Sequence, residues 1–242
     1  MQQIALADSF VDALAHLDSG DIKRAAAFIE KLIAEPMRAG FNFEMVHDAR
    51  DRAIRSVRVT QDLRAIAHVD DKLLLLLFVG RHDLAYEWAR TRCVECHPIT
   101  GELQLVRDPP NAQNEPMQAP SLGSNAGAPT RADAAHRVPG TFDEYSDEYL
   151  LSLGVPTSWL ATIRMIRNDD MFLSVAADLP NEVSDRLMRL MGGELVAPPV
   201  PVCDDECTWN TPGARRWICT VEDGGGLCQL LDEAGIAHGL AQ

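Results

Sequence analysis

Four side chains in the first ninety residues combine a type and a position suited to handling a phosphate group. Arg58 and Arg64 flank a short polar turn, and His82 and Tyr86 lie one helical turn apart further along the chain. Arginine stays charged at physiological pH, and its planar fork matches a phosphate group. Histidine can donate or accept a proton near neutral pH, and tyrosine offers a hydroxyl group. These four residues are therefore the candidate catalytic or binding residues.

Each of them also has a purely structural interpretation. Arg58 and Arg64 could form surface ion pairs with the many acidic residues nearby. His82 could simply begin a helix, with Asp83 complementing the positive end of the helix dipole and Tyr86 packing on a sheet. The sequence leaves both interpretations open.

The segments that carry the two arginines predict helices followed by a hairpin. Apolar residues recur at helical spacing in 3–17 and 21–35, which predicts two helices. Alternating apolar residues in 53–60 and 62–69 then predict two half-buried antiparallel strands. The alternation places Arg58, Arg64 and His68 together on the less apolar face of this hairpin.

The chain after the hairpin predicts the remaining elements of one domain, residues 1–106. The apolar run 73–79 predicts a central strand that ends at Gly80, a helix follows over 82–92, and 102–106 predicts an edge strand. The predicted fold class is therefore α+β, with an antiparallel sheet, two N-terminal helices and a closing helix.

The rest of the chain predicts a linker, a small all-α domain and a tail. Residues 107–142 are rich in Pro, Gly, Ala, Asn and Ser and poor in large apolar groups, so we expect a flexible linker. Helical periodicity returns in 143–193 and predicts a small bundle of short helices. Residues 194–242 predict an irregular tail with one weak helix over 227–234.

Charge is distributed unevenly along the 242 residues, which carry a formal net charge of −14. Residues 1–92 contain 13 basic and 14 acidic side chains, so most of the excess acid lies beyond them. A polyanion site is therefore expected in the first part of the chain. No window is apolar for long enough to span a membrane and no secretion signal is recognisable, so we expect a cytoplasmic protein that does not bind membranes.

The cysteines offer one further motif, Cys93-Val94-Glu95-Cys96-His97. The C-x-x-C-H pattern occurs at haem attachment sites of exported chains, which this chain does not resemble. A zinc site formed by Cys93, Cys96 and His97 with Cys203 or Cys207 is chemically feasible, but unrelated thiols explain the pattern better. We therefore expect neither a metal nor a cofactor.

Many weak motifs in a fixed order resemble the RelE/ParE toxin superfamily, and within it the RelE-like region at the N-terminus of certain bacterial UvrD-like superfamily I DNA helicases. The resemblance covers about 1–106 and 143–193. The motifs are FIEKL, Val57-Arg58-Val59, Leu63-Arg64-Ala65, His82-Asp83-x-x-Tyr86-x-Trp88-Ala89, Thr100-Gly101-Glu102-Leu103, Tyr149-Leu150-x-x-Leu153-Gly154-Val155-Pro156 and Leu179-Pro180.

This resemblance implies an activity, because RelE-type toxins cut mRNA by promoting attack of a 2′-hydroxyl on the adjacent phosphate. In that reaction Arg58 and Arg64 would stabilise the developing charge, while His82 and Tyr86 would supply acid or base groups. Two departures argue against activity. Asp83 stands where many active toxins carry a second basic residue, and 41–60 contains none of the lysines of some ribosome-dependent toxins.

Two function hypotheses follow, and a degraded fragment with no activity is a third possibility. The first is an accessory or regulatory module, related to the helicase N-terminal region, that binds RNA, DNA, the ribosome or a helicase protein partner. No GxxxxGKS/T phosphate loop occurs in these residues, so the module would have no ATPase activity of its own. The alternative is a metal-independent RelE-type endoribonuclease whose partner is an antitoxin.

Overall fold

A computed structural model describes residues 3–35, 41–109, 140–201, 209 and 213–240 of the chain. The helices are Asp8–Ala15 (α1), Ser19–Ala34 (α2), His82–Arg90 (α3), Asp147–Ser152 (α4), Leu160–Met165 (α5), Asp169–Ala176 (α6), Asn181–Met191 (α7) and Gly224–Glu233 (α8). The strands are Gln3–Ala7 (β1), Phe43–Met45 (β2), Ile54–Arg58 (β3), Leu63–Val69 (β4), Leu73–Arg81 (β5), Arg92–Cys96 (β6), Leu103–Arg107 (β7) and Ile218–Val221 (β8). In this described part, no helix is both long and apolar enough to cross a membrane.

The chain divides into two compact units, Met1–Glu95 with Glu206–Gln242 and Cys96–Asp205. The first unit contains a six-stranded sheet with the strand order β2-β3-β4-β5-β1-β8. The predicted α+β class is confirmed. The sheet is mixed rather than antiparallel throughout, because β1 pairs with β5 in parallel.

The prediction of one helix over 3–17 is wrong at its start, where β1 precedes α1. Residues Ile4 to Ala7 are all buried, since β1 lies between β5 and β8 and is covered on both faces. An apolar run buried on both faces has no alternation, so its periodicity does not distinguish a strand from a helix. The alanines in this run favour a helix on propensity alone, and strand pairing overrides that preference.

The two faces of the sheet are covered by different helices. One face shares a buried cluster with α1, α2 and α8, to which Phe10, Leu14, Ile29 and Leu231 contribute fully buried side chains. Full burial of each such side chain stabilises the fold by about 1.5–3 kcal/mol. The other face carries α3, which contacts β4 and β5. The first five residues of β4 are therefore buried, and the prediction of a half-buried strand is wrong.

The C-terminal residues of the first unit are more regular than predicted. The tail over 194–242, expected to be irregular apart from a weak helix over 227–234, contains that helix as α8 and an unpredicted strand, β8, and Trp217, Val221 and Leu227 are buried. Strand β8 pairs antiparallel with β1, from Ile4 opposite Val221 to Ala7 opposite Ile218. The four residues of β8 are too few to show an alternation, which explains why sequence periodicity missed the strand.

The second unit contains the predicted short helices α4 to α7. One segment of this unit is Leu153-Gly154-Val155, whose three consecutive carbonyl oxygens each accept a hydrogen bond from a side chain. Arg186 Nη1 donates to Leu153 O (2.9 Å), Gln104 Nε2 to Gly154 O (2.9 Å) and His97 Nε2 to Val155 O (3.0 Å). Gly154 has a φ of +91°, a region that favours glycine, and a Cβ there would lie 3.0 Å from Arg186 Nη1.

A buried ion pair holds the same segment together. Arg186 donates from both terminal nitrogens to the carboxylate of Glu102, at 3.1 and 3.2 Å, and both side chains are largely buried. Removal of one partner from such a pair leaves an uncompensated buried charge, which costs about 3–5 kcal/mol. The Thr100-Gly101-Glu102-Leu103 and Leu153-Gly154-Val155 motifs are therefore parts of one hydrogen-bonded network.

The division into units differs from the boundaries at 106 and 193 that composition favours. The second unit begins at Cys96 and includes β7. From Glu206 onward, the chain belongs to the first unit again. Residues 110–139, most of the predicted linker 107–142, lie outside the described residues.

We predict that limited proteolysis cuts the chain first within 110–139, because of the composition of that segment, and that the two fragments stay together afterwards. The pairing of β8 with β1, and the burial of Trp217, Val221 and Leu227, would hold the C-terminal fragment on the N-terminal one. Size-exclusion chromatography of the nicked protein should give one peak that contains both fragments, which separate only on a denaturing gel. Separate elution under native conditions would contradict the β1–β8 pairing.

Candidate functional site

Arg58 and Arg64 lie directly opposite each other at one end of the sheet. Arg58 is the last residue of β3, and the register of the β3–β4 hairpin pairs it with Arg64. Residues opposite each other in an antiparallel pair point to the same face. The prediction that both arginines share one face of the hairpin therefore agrees with the register, and that face is the one covered by α3.

Arg64 is buried, and its side chain holds the turn between β3 and β4. The residue is only 8% exposed. Its Nη1 donates to the carbonyl oxygens of Thr60 (3.1 Å), Gln61 (3.2 Å) and Leu63 (3.2 Å). Leu63 O also accepts the backbone N–H groups of Val59 (3.0 Å) and Thr60 (3.2 Å), so the guanidinium group reinforces a turn that backbone hydrogen bonds close. Arg64 thus has a structural role that the sequence analysis did not foresee, in addition to its charge.

Arg58 is exposed and has a different environment. Among the described residues, its side chain forms neither a hydrogen bond nor an ion pair, and Arg64 has no carboxylate partner. The alternative that the two arginines are neutralised by nearby acidic side chains therefore does not hold in this part of the chain. Like charges directly opposite each other destabilise a sheet, so an anion placed against the pair would be favoured.

His82 begins α3 beside this turn. Its backbone N–H donates to Asp62 O at 3.1 Å, which fixes the start of the helix against the turn that Arg64 holds. The His82 ring stacks on the Tyr86 ring with the centroids 4.5 Å apart. His82 Nδ1 lies 2.9 Å from Asp83 Oδ1, and the Asp83 side chain is fully exposed.

Tyr86 is held by a hydrogen bond with Ser56, a residue that the sequence did not indicate. The Tyr86 hydroxyl and Ser56 Oγ are 3.0 Å apart, and Ser56 is 1% exposed. Ser56 lies two residues before Arg58 on the same face of β3. A serine at an inward-facing position of a strand needs a hydrogen-bond partner, and this requirement is the sequence signal that could have indicated it.

Gly80 is a further strand residue of the site. It lies opposite Arg64 in the β4–β5 register, inside β5 rather than after it as predicted. A Cβ at Gly80 would lie 2.8 Å from Cε1 of Phe78. The Phe78 ring in turn stacks on Trp88 of α3 at 5.2 Å, with the guanidinium carbon of Arg92 4.7 Å from the Trp88 ring. Because Gly80 has no Cβ, the Phe78 ring has room for the contact with Trp88 that packs α3 on the sheet.

The third predicted member of this face, His68, lies at the far end of β4. Its Nε2 is 3.8 Å from Asp51 Oδ2, and Asp51 also accepts the backbone N–H groups of Ala53 (2.8 Å) and Val94 (3.1 Å). Burial lowers the pKa of His68, against the opposing effect of Asp51 and Asp70. His68 belongs to the scaffold of the first unit, apart from the arginine pair.

The Cys93–His97 motif does not form the zinc site considered above. Cys96 is disulfide-bonded, which removes its thiolate as a ligand. Both ring nitrogens of His97 are engaged, since Nε2 donates to Val155 O and Nδ1 accepts the backbone N–H of Thr100 at 3.2 Å. Across the residues that the structure describes, no cluster of three or more metal-ligating side chains occurs. Cys203 and Cys207 lie outside the described residues.

Comparisons with known proteins give similarities of fold only. No family model and no curated protein matches the chain. Among solved structures, the chain is similar to YafQ in the E. coli DinJ–YafQ complex, with 19% identity over 35% of this chain and 97% of that chain and a TM-score of 0.29. It is also similar to YafQ alone from E. coli (17% identity, the same coverages, TM-score 0.27). A copper-bound mutant toxin from Helicobacter pylori shows 21% identity over 35% of this chain and 98% of that chain, with a TM-score of 0.25.

We predict that Tyr86→Phe lowers the free energy of unfolding by about 1 kcal/mol, because Ser56 Oγ loses its partner in a buried position. Urea denaturation of the wild type, Tyr86→Phe, Ser56→Ala and the double variant measures the coupling. The double variant should cost less than the sum of the two single changes. Additive costs would show that the two hydroxyls do not interact.

We also predict that the protein loses stability as the pH falls below 6.5, the ordinary pKa of histidine. The pKa of His68 is lower in the folded state than in the unfolded chain, so near pH 6 the unfolded chain binds more protons. Chemical denaturation at pH 7.5 and 5.5 should show this decrease, and His68→Asn should reduce it. An equal decrease in the variant would assign the effect to other groups.

Proposed function

We propose that the first unit is a nucleic-acid-binding module with a RelE/ParE-like fold, related to the accessory N-terminal region of UvrD-like helicases. The observation that carries this proposal is the Arg58–Arg64 pair. Two positive charges lie directly opposite each other, without a carboxylate partner in the described part of the chain. A nucleic-acid backbone supplies phosphates that neutralise such a pair, with release of counterions. The sequence motifs given above support the relation to the helicase region.

The surroundings of the pair favour binding over cleavage. Arg64 uses Nη1 to hold the turn, and the Tyr86 hydroxyl is occupied by Ser56. The exposed carboxylate of Asp83, 2.9 Å from His82, would repel a phosphate that approaches this ring. Cleavage would need an acid and a base free to reach the reacting oxygens.

The second candidate function is that of a RelE-type endoribonuclease. One observation favours it: the stacked rings of His82 and Tyr86 lie beside the turn that Arg64 holds. An imidazole ring and two cations therefore lie at the same end of the sheet, which supports this candidate because the reaction would need a proton-transfer group beside positive charge. Hydrogen bonds at catalytic sites often tighten only when substrate binds, and activity assays must therefore decide between the two candidates.

We predict that the 242-residue chain binds short fluorescently labelled RNA or DNA oligonucleotides, with an affinity that falls steeply as salt rises. Arg58→Ala should weaken binding about tenfold at low salt and reduce the slope of log K against log salt by about 1, since one phosphate contact is lost. Arg52→Ala is the matched control. Arg52 is also an exposed arginine but precedes the other end of β3, and its removal should leave binding almost unchanged. Fluorescence anisotropy over a salt series measures all three proteins.

Three outcomes would change or overturn the proposal. Equal losses of affinity in Arg58→Ala and Arg52→Ala would show that the effect comes from net charge and that Arg58 does not belong to a specific site. Cleavage of the labelled RNA by the wild type, lost in His82→Gln, would promote the endoribonuclease candidate. If the chain binds no nucleic acid at any salt concentration, the proposed function is wrong, and a protein partner becomes the next hypothesis to test.

A further inference from the structure

Arg81 is a third arginine at the same end of the sheet. It is the last residue of β5, and the β4–β5 register pairs it with Leu63, the neighbour of Arg64. Leu63 belongs to the buried cluster shared with α1, α2 and α8. Paired residues point to the same face, so Arg81 lies on the α2 face of the sheet, opposite to the face of Arg58 and Arg64.

A cleft of about 210 Å³ adjoins Arg81 on that face. Its walls come from α2, from the β3–β4 turn and from the end of β5. The lining residues are Asp21, Arg24, Thr60, Gln61, Asp62, Leu63 and Arg81. The turn that Arg64 holds from one face thus forms a wall of this cleft on the other.

Of the two arginines that line the cleft, Arg81 is the one without an ion-pair partner among the described residues. Arg24 Nη1 and Asp21 Oδ1 are 2.7 Å apart and neutralise each other. Arg81 is exposed and forms no ion pair or side-chain hydrogen bond with any described residue. Asp62 is the remaining acidic side chain of the lining, on the exposed turn.

We propose that Arg81 and this cleft form a second phosphate subsite, on the opposite side of the sheet end from the Arg58–Arg64 pair. The inference rests on the proposed nucleic-acid binding and adds a path to it. The phosphate backbone passes around the end of the sheet, over the β3–β4 turn, with one phosphate against Arg58 and Arg64 and another against Arg81. The Thr60 and Gln61 side chains offer further polar groups along this path.

Anisotropy titration of the 242-residue chain with a labelled oligonucleotide tests this subsite in Arg81→Ala, Arg58→Ala, the double variant and the Arg52→Ala control. Arg81→Ala should weaken binding about tenfold at low salt and reduce the salt slope by about 1, and the double variant should reduce it by about 2. Circular dichroism and thermal unfolding verify that each variant is folded.

The outcomes separate this inference from the proposed function. A loss in Arg58→Ala with no loss in Arg81→Ala would overturn the second subsite and leave nucleic-acid binding intact. Absence of binding by the wild type would overturn both. Calorimetric titration with inorganic phosphate distinguishes the source of the ligand: an Arg81-dependent signal there, without any effect on the oligonucleotide, would assign the cleft to a free phosphate group. An Arg81→Ala variant that behaves as the wild type with both ligands would overturn the subsite.

Discussion

Burial of β5 on both faces is the constraint on which the first unit depends. Residues Leu73 to Leu77 are almost fully buried, so the strand must be paired at both edges and covered on both sides. Strands β1 and β4 pair with its edges, α1, α2 and α8 cover one face, and α3 covers the other. Because α3 follows β5 directly, the cover of the second face brings His82 and Tyr86 to the strand end where the arginines lie.

The same constraint gives Arg64 two roles. Its position on an inner strand beneath α3 buries the guanidinium group, and burial of a charge is tolerated only where hydrogen bonds compensate it. The turn carbonyls supply that compensation and leave the positive charge in place. Arg58, on the neighbouring strand, keeps its side chain in solvent. One arginine thus supports the turn, while the other remains available to an anion. The pair is therefore suited to bind a negatively charged group rather than to transfer a proton.

Much of the site around Arg58 and Arg64 could be predicted from the sequence, and the features that could not be predicted have physical causes. The alternation in β3 and β4 predicted that Arg58 and Arg64 share a face, because the period of a strand is local. The burial of Arg64 could not be predicted, since it depends on the later packing of α3. Ser56 was missed because the alternation places it on the face of Arg58 but does not show that this face is buried there, which depends on the packing of α3 and its Tyr86. Strands β1 and β8 were missed because neither shows an alternation, and their pairing joins the two ends of the chain.

The network around Leu153-Gly154-Val155 has a consequence for how the chain can vary in length. His97 and Gln104 precede residues 110–139, whereas Arg186 and the three carbonyl groups follow them. Formation of the second unit therefore closes a loop, and the entropy of that closure depends only on the logarithm of loop length. A doubling of the intervening segment would cost about 0.6 kcal/mol, less than the roughly 3–5 kcal/mol that removal of either Glu102 or Arg186 from their buried pair would cost. Insertions between Arg107 and Gly140 should therefore lower the free energy of unfolding only slightly, whereas a single side chain added at Gly154 should lower it more.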